Sequence, residues 1–316
     1  MAKDPVSVIE GLLRKRNARY KFKELAAEAK LSYKATEQAI AQLRQKHHNL
    51  VYAKFDKTYY FSDVVTHYSN QTDLSQIMPL EGSFGLLSDT HLGSIGERLD
   101  LVKWAYDTFA ERGIKQVFHC GDVTDGWDEY RGHINFVKVY GAAPQAIRVI
   151  KSYPKREGIT TYMIGGNHDD DNNRRNFDRL SMVTNGLDYE GKHYEGRSDL
   201  VYLGQYAHRI IMPQEITMEM LHPRGSGSYA VSYKQQKRSE NMEKNLRPDI
   251  QVSGHFHTFN YIWLQGTHFI ACAGMQDETE FFKRLGLPRG MGFQIVHYKI
   301  SNARLVSLAP ELFMAK

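Results

Sequence analysis

Carboxylate, imidazole and amide side chains gather in five short clusters. The first is Asp89-Thr90-His91, and the second is Gly121-Asp122-Val123-Thr124-Asp125-Gly126. Gly165-Gly166-Asn167-His168-Asp169 follows, then a lone His222 before Pro223, and last Gly254-His255-Phe256-His257. These are the residue types that hold divalent cations through oxygen and nitrogen. A single Asp or His at the end of a strand is usually structural, so the clusters carry weight only as a set. His255 and His257 stand at i and i+2, and on a strand both would face one site.

The clusters need elements to aim them. Ser83–Ser88 and Gln116–Cys120 are apolar runs of strand length, as is Thr160–Ile164, and each leads into a cluster. Leu99, Val102, Ala105, Tyr106 and Phe109 recur at helical spacing after the first, and a helix is expected from about Ile134 to Ile150 after the second. Strand, helix, strand, helix, strand implies a parallel sheet, whose ligands sit beyond the carboxyl ends of the strands. Glu215–Leu221 and Asp249–Ser253 are further strands ending at His222 and at Gly254-His255. Strand-rich segments around Tyr261–Leu264, His268–Ala273 and Gly292–Ile300 complete a two-sheet sandwich.

A chain of 316 residues suggests two domains. Hydrophobic residues at 41% and charged residues at 24% exclude a disordered chain. No apolar run approaches the ~18 residues needed to cross a bilayer, and the first residues carry no apolar signal segment. Cys120 and Cys272 are the two cysteines, too few for a disulfide framework. A cytoplasmic protein with no membrane partner is the expectation.

The net charge of +5 is concentrated. Residues 1–70 hold 13 Lys+Arg against 7 Asp+Glu, which suggests contact with a polyanion. Helical spacing marks Val6–Arg16 and Phe22–Ala29. Ser32 is placed to cap a third helix over Tyr33–Lys46. Leu50–Ala53 and Thr58–Phe61 flank a charged tip and read as a hairpin. This order resembles a winged helix-turn-helix, whose third helix enters the major groove. The resemblance implies a polar face of Lys34, Gln38, Gln42, Arg44 and Lys46, with Lys54 and Lys57 on the wing. The expected boundaries are a module over 1–65, a linker over 66–81 and a catalytic domain over 82–316.

The five clusters, in that order, resemble the calcineurin-like metallophosphoesterases over about residues 82–300. The resemblance implies an α/β fold, a two-sheet αββα sandwich preceded by the small winged-helix domain. It implies a dinuclear centre of two divalent ions, manganese first, with iron and zinc as alternatives. Asp89, His91 and His257 would hold one ion, Asn167, His222 and His255 the other, and Asp122 would bridge them. His168 would stabilise the phosphoryl charge or act as a general acid, and Asp169 would orient it or stand equally as a plain loop carboxylate. Asp125 either anchors its loop or supports a ligand from behind, His133 either contacts substrate or, as the favoured reading, is exposed, and His119 faces the core or the other side of the sheet.

Gly126 and Asp169 stand where the protein serine/threonine phosphatases of this superfamily carry Arg and Glu. Ser88-Asp89-Thr90-His91-Leu92-Gly93 looks more like the DNA-repair nuclease subunits of the SbcD type. The expected function is therefore hydrolysis of nucleic-acid phosphodiesters, with DNA as the partner; homodimer formation is left open. The alternatives are a small-nucleotide or cyclic nucleotide phosphodiesterase, or a phosphomonoesterase, with a regulatory winged helix, and a non-catalytic DNA-binding regulator.

Overall fold

The computed structural model describes residues 4–15, 18–47, 50–53, 57–61, 71–170, 178–225, 230, 232–243, 246–277 and 290–315. Lys54 lies outside these residues, as do the first five positions, 66–70, of the expected linker.

The N-terminal elements are α1 (Pro5–Leu13), β1 (Tyr20–Lys21), α2 (Phe22–Ala29), α3 (Tyr33–Lys46), β2 (Leu50–Ala53) and β3 (Thr58–Phe61). Asp4 caps α1 and Ser32 caps α3, where Ser32 Oγ accepts from the Ala35 amide at 3.2 Å. The strands form a small sheet in the order β1-β3-β2. Ile9, Leu13, Leu25, Ile40, Leu43 and Leu50 close a separate core beneath it. Lys34, Gln38, Gln42 and Lys46 lie exposed along α3 at intervals of four, which places them in one row.

Arg44 departs from its expected place on that row. It is 3% exposed and pairs with Glu215 and, at 3.4 Å, with Asp73. The Tyr59 hydroxyl donates to Glu215 Oε1 at 2.6 Å. The cation pins α3 to the body of the protein and is not offered to solvent.

Two six-stranded sheets form that body. One runs β10 (Leu200–Gln205), β7 (Thr160–Gly165), β6 (Gln116–His119), β5 (Glu81–Leu87), β16 (Gly292–Ser301), β17 (Arg304–Met314). Its first four strands are parallel, and β16 and β17 are antiparallel additions. The other runs β14 (Asn260–Leu264), β15 (Thr267–Ala271), β13 (Ile250–Ser253), β12 (Thr217–Leu221), β11 (Ala207–Ile211), β4 (Gln71–Asp73). Thus Gln71–Asp73, within the stretch expected to be a linker, is an edge strand paired with β11. A small hairpin, β8 (Leu187–Tyr189) with β9 (Lys192–Tyr194), stands apart.

Alternation along the strands makes two cores. Phe84 and Leu86 of β5 point between the sheets with Phe118, Ile164, Met218, Met220, Ile250 and Val252. Leu87, Val117 and Met163 point outward, under α4 (Leu99–Glu111), α5 (Ala142–Ser152) and α6 (Arg179–Asn185). A further helix, α7 (Tyr233–Asn241), covers the outer face of the second sheet, with Arg238 bonded to Glu219 of β12.

The helix expected from Ile134 is shorter and later. A 3₁₀ turn over His133–Phe136 comes first, and Gly141, at φ 102°, breaks the path before α5 begins. His255 and His257 are not on a strand either: β13 ends at Ser253, and both lie in the turn beyond it.

Arg44→Ala leaves two carboxylates facing each other without their cation. Loss of one partner of a buried pair costs about 3–5 kcal/mol. Urea unfolding of this variant is therefore expected to show a destabilisation of that size. A midpoint equal to that of the unsubstituted protein would mean the pair does not hold α3 in place.

Candidate metal centre

The parallel strands deliver their clusters to one edge and then turn sharply. Asp89 (φ 55°), His91 (φ 42°), Asp122 (φ 53°), His255 (φ 79°) and His257 (φ 51°) all have left-handed backbones. Such a conformation costs a non-glycine residue about 1–2 kcal/mol. Five of the seven expected ligands carry this strain, and strain of that kind concentrates where a site needs side chains aimed in otherwise unreachable directions.

Two trios result. Donor atoms of Asp89, His91 and His257 lie within 4.8 Å of one another, as do those of Asp122, His222 and His255. His91 Nε2 is 3.3 Å from His257 Nε2, and His257 Nε2 is 3.3 Å from Asp89 Oδ1. Asp122 Oδ2 lies 3.1 Å from His222 Nε2 and 3.8 Å from His91 Nε2. One carboxylate oxygen therefore reaches both trios. Asn167 Oδ1 is 3.2 Å from His222 Nε2 and adds an amide oxygen to the second.

Three of the four expected ligand rings are held so that one nitrogen stays for a ligand. His222 Nδ1 donates to the Cys120 carbonyl at 2.7 Å, which leaves Nε2. His255 Nε2 donates to the Gly225 carbonyl at 2.6 Å, which leaves Nδ1. His91 Nδ1 lies 3.1 Å from Asp125 Oδ1. Asp125 is fixed in turn by His133, whose Nε2 lies 3.2 Å from Asp125 Oδ2 while its Nδ1 accepts from the Glu129 amide at 3.2 Å. That acceptor role at Nδ1 puts the proton on Nε2. His133 is 1% exposed, contrary to the expectation of a surface histidine. A chain of this type, carboxylate behind ligating imidazole, sets ring orientation and basicity in metal sites. His119 is buried, with Nε2 3.1 Å from Thr90 Oγ1 beneath the first cluster.

His168 belongs to neither the Asp89 nor the Asp122 trio. It groups with His91 and Asp125, and its Nδ1 donates to the Asp125 carbonyl at 2.5 Å. Asp169, expected to orient it, is engaged elsewhere. It accepts from the amides of Val123 (3.0 Å), Thr124 (2.8 Å) and Gly166 (3.0 Å) and from Thr124 Oγ1 (2.7 Å). Asp169 is thus a clamp between the second and third clusters, because backbone amides of both turns converge on it. Arg179 completes the clamp. Fully buried, it bonds Thr124 Oγ1, Gln145 Oε1 (2.8 Å) and the His168 carbonyl (3.2 Å). No motif marked Arg179 or Gln145; each sits on a helix whose apolar periodicity conceals it.

The electrostatics follow from burial and crowding. Burial opposes the charge on Asp89, but the His257 imidazole outweighs it and holds the carboxyl well below the ordinary range. Asp122 behaves likewise, through His222 and His168. Burial pushes His222 down, yet the Asp122 carboxylate overcomes this and brings the ring up to about 10. Burial takes His168 down to about 4, so its ring is neutral.

Oxygen and imidazole donors without thiolate suit divalent cations of the harder and borderline kind. Space is reserved as well. A Cβ at Gly166 would stand 2.2 Å from Asp122 Oδ1 and 2.7 Å from His222 Cε1, so only glycine lets the third cluster pass this close. The fit to a pair of cations is therefore one of both chemistry and room.

Comparison with known proteins places the five clusters in one family. A family model described as calcineurin-like phosphoesterase matches residues 82–259, more than half of the chain. No curated protein matches the chain. Among solved structures, a novel archaeal phosphodiesterase is 11% identical, with 73% of this chain and 100% of that chain covered and a TM-score of 0.40. Vacuolar protein sorting 29 from Cryptosporidium parvum is 12% identical, with 75% and 100% covered and a TM-score of 0.39. A conserved protein from Streptococcus pneumoniae, described as a predicted phosphoesterase, is 12% identical, with 75% and 100% covered and a TM-score of 0.32.

With its pKa raised to about 10, the His222 ring holds a proton at pH 7 in the metal-free protein. A cation takes only the neutral ring, so binding expels that proton. Calorimetric titration with Mn²⁺ at pH 7 in buffers of different ionisation heat is expected to show proton release, and affinity is expected to rise from pH 6 to pH 9. Heat independent of the buffer and affinity flat with pH would contradict this.

Proposed function

This chain belongs to the calcineurin-like phosphoesterase family, and from that premise we propose that it is a nuclease, hydrolysing phosphodiester bonds of nucleic acid, DNA first. Metal-dependent phosphoester hydrolysis is the coarser activity that the family and the two trios establish. The observation that carries the proposal is the position of the Asp122 carboxylate between the trios. Bound there, two divalent cations neutralise phosphate charge and lower the pKa of a water. Asp89, His91 and His257 would hold one, and Asn167, His222 and His255 the other.

The chain's own groups do the rest. Asp125 and the Cys120 carbonyl keep His91 and His222 turned toward the cations. The Asp125 carbonyl holds His168 by Nδ1, which reserves Nε2 for the phosphoryl oxygens or the leaving oxygen. Phosphate charge beside a neutral buried ring raises its pKa, so His168 would take up a proton from solvent as substrate binds and pass it to the leaving oxygen. Asp169 and Arg179 fix the turns that carry Asp122 and His168.

The nucleic-acid part of the proposal draws on residues 1–65. We read their element order, α1-β1-α2-α3-β2-β3, as a winged helix-turn-helix. The exposed Lys34, Gln38, Gln42 and Lys46 can reach phosphates and base edges, and Lys57 is exposed on the turn before β3. Arg44 docks this module on the catalytic body. The likeness of Ser88–Gly93 to SbcD-type nucleases and the choice of manganese are part of the same proposal.

After chelation, Mn²⁺ is expected to restore cleavage of labelled single- or double-stranded DNA. Cleavage of an aryl phosphodiester with none of DNA would favour a small-substrate enzyme, and equal rates with and without chelator would remove the metal. His168→Ala is expected to keep its bound metal and lose about 10²–10⁴-fold in turnover; full activity would remove its proton role. Replacing Lys34 and Lys46 by alanine is expected to make the salt dependence of DNA binding shallower by about two. An unchanged slope would place the DNA elsewhere.

A further inference from the structure

We propose that a cavity beside the metal centre is a nucleobase subsite, in which Gln251 reads the edge of the base. The inference rests on the phosphodiesterase reading above and deepens it. The cavity measures about 440 Å³, within the roughly 300–1,000 Å³ of small-molecule sites. It lies between α7 and the outer face of the second sheet. His222 forms one end and belongs at once to the second trio, and Phe256, next to His255, supplies an aromatic wall.

Gln251 is the telling residue. Its neighbours Ile250 and Val252 enter the core between the sheets, so alternation sends Gln251 to the outer face, where it lines the cavity. It is 1% exposed, and both Nε2 and Oε1 are without a hydrogen-bond partner. A buried amide is costly when unmatched. Its complement is a ligand that offers a donor and an acceptor side by side, as the N6 and N7 edge of adenine does.

Charge decides between a base and a second phosphate. Arg224 and Arg238 also line the cavity, but each is paired with a carboxylate, Arg224 Nη2 with Asp170 Oδ2 at 2.8 Å and Arg238 Nη2 with Glu219 Oε1 at 2.9 Å, which cancels their charge. A neutral ring suits this floor better than an anion. The remaining cation is Lys234, whose Nζ would stand 3.9 Å from a Cβ at Gly225, the residue whose carbonyl holds His255. It marks the seam between cavity and metal centre, where the phosphate of a bound nucleotide would lie. An aromatic wall, an amide and one cation at that seam are the parts of a site that stacks and reads a base.

The test compares adenosine 5′-monophosphate with ribose 5-phosphate, which keeps the sugar and phosphate and lacks the base. Titrated into the Mn²⁺-loaded protein, the nucleotide is expected to bind about tenfold tighter or more. In Gln251→Leu the ratio is expected to fall close to one, with a melting temperature no lower than before, since the unmatched amide is gone. Equal affinities in the unsubstituted protein, or a ratio unchanged in Gln251→Leu, would overturn the subsite. A protein that cuts DNA without any base-dependent difference loses the subsite alone. One that binds by the base and cleaves no phosphodiester loses the nuclease reading and keeps the subsite.

Discussion

Buried negative charge is the constraint on which this structure turns. Asp89, Asp122 and Asp125 are 0%, 2% and 2% exposed. Like charges ~4 Å apart repel by about 4 kcal/mol even at an effective dielectric near 20. Carboxylates in this setting persist only with compensating charge. The imidazoles supply part of it, and the protonated His222 is the clearest sign of the demand. Two divalent cations would meet it in full and release the proton. The same reasoning explains why further carboxylates do not crowd in: Asp169, 1% exposed, turns its oxygens to backbone amides and has Arg179 nearby.

A cluster held under such repulsion needs a stiff frame. Two apolar cores supply it, one between the sheets and one beneath α4, α5 and α6. Left-handed turns at five of the seven expected ligands add a further cost of about 1–2 kcal/mol each. The frame holds them because every one of these turns begins at or near a strand whose side chains are buried on both faces. Preorganisation of this kind keeps donors in place before a phosphate arrives. The docked N-terminal module belongs to the same frame, since Arg44 joins α3 to Asp73 and Glu215.

Much of this was legible in the sequence, because the signals were strong and local. Strand-length apolar runs placed β5, β6 and β7, and the observed α3 and both strands of the expected hairpin carry the expected residue limits. The clusters at strand ends followed from the logic of parallel sheets. What escaped depends on contacts distant in the chain. Arg44 read as a surface cation because its partners lie 29 and 171 residues away. His133 read as exposed because nothing local reveals Asp125 above it. Asp169 read as a partner of His168 because the two are adjacent, whereas the turn sends their side chains apart. The paired histidines His255 and His257 do converge on the centre, though through left-handed turns into two different trios and not through the alternation of a strand.

The central claim is that Asp122 sits between two cations. Crystals soaked in Mn²⁺ and measured at its absorption edge test it most directly. The account predicts two anomalous peaks per chain about 3.5–4 Å apart, the spacing of two-metal sites, one beside Asp89 and His257 and one beside His222 and His255, with Asp122 touching both. A single peak, or two that do not share Asp122, would contradict it.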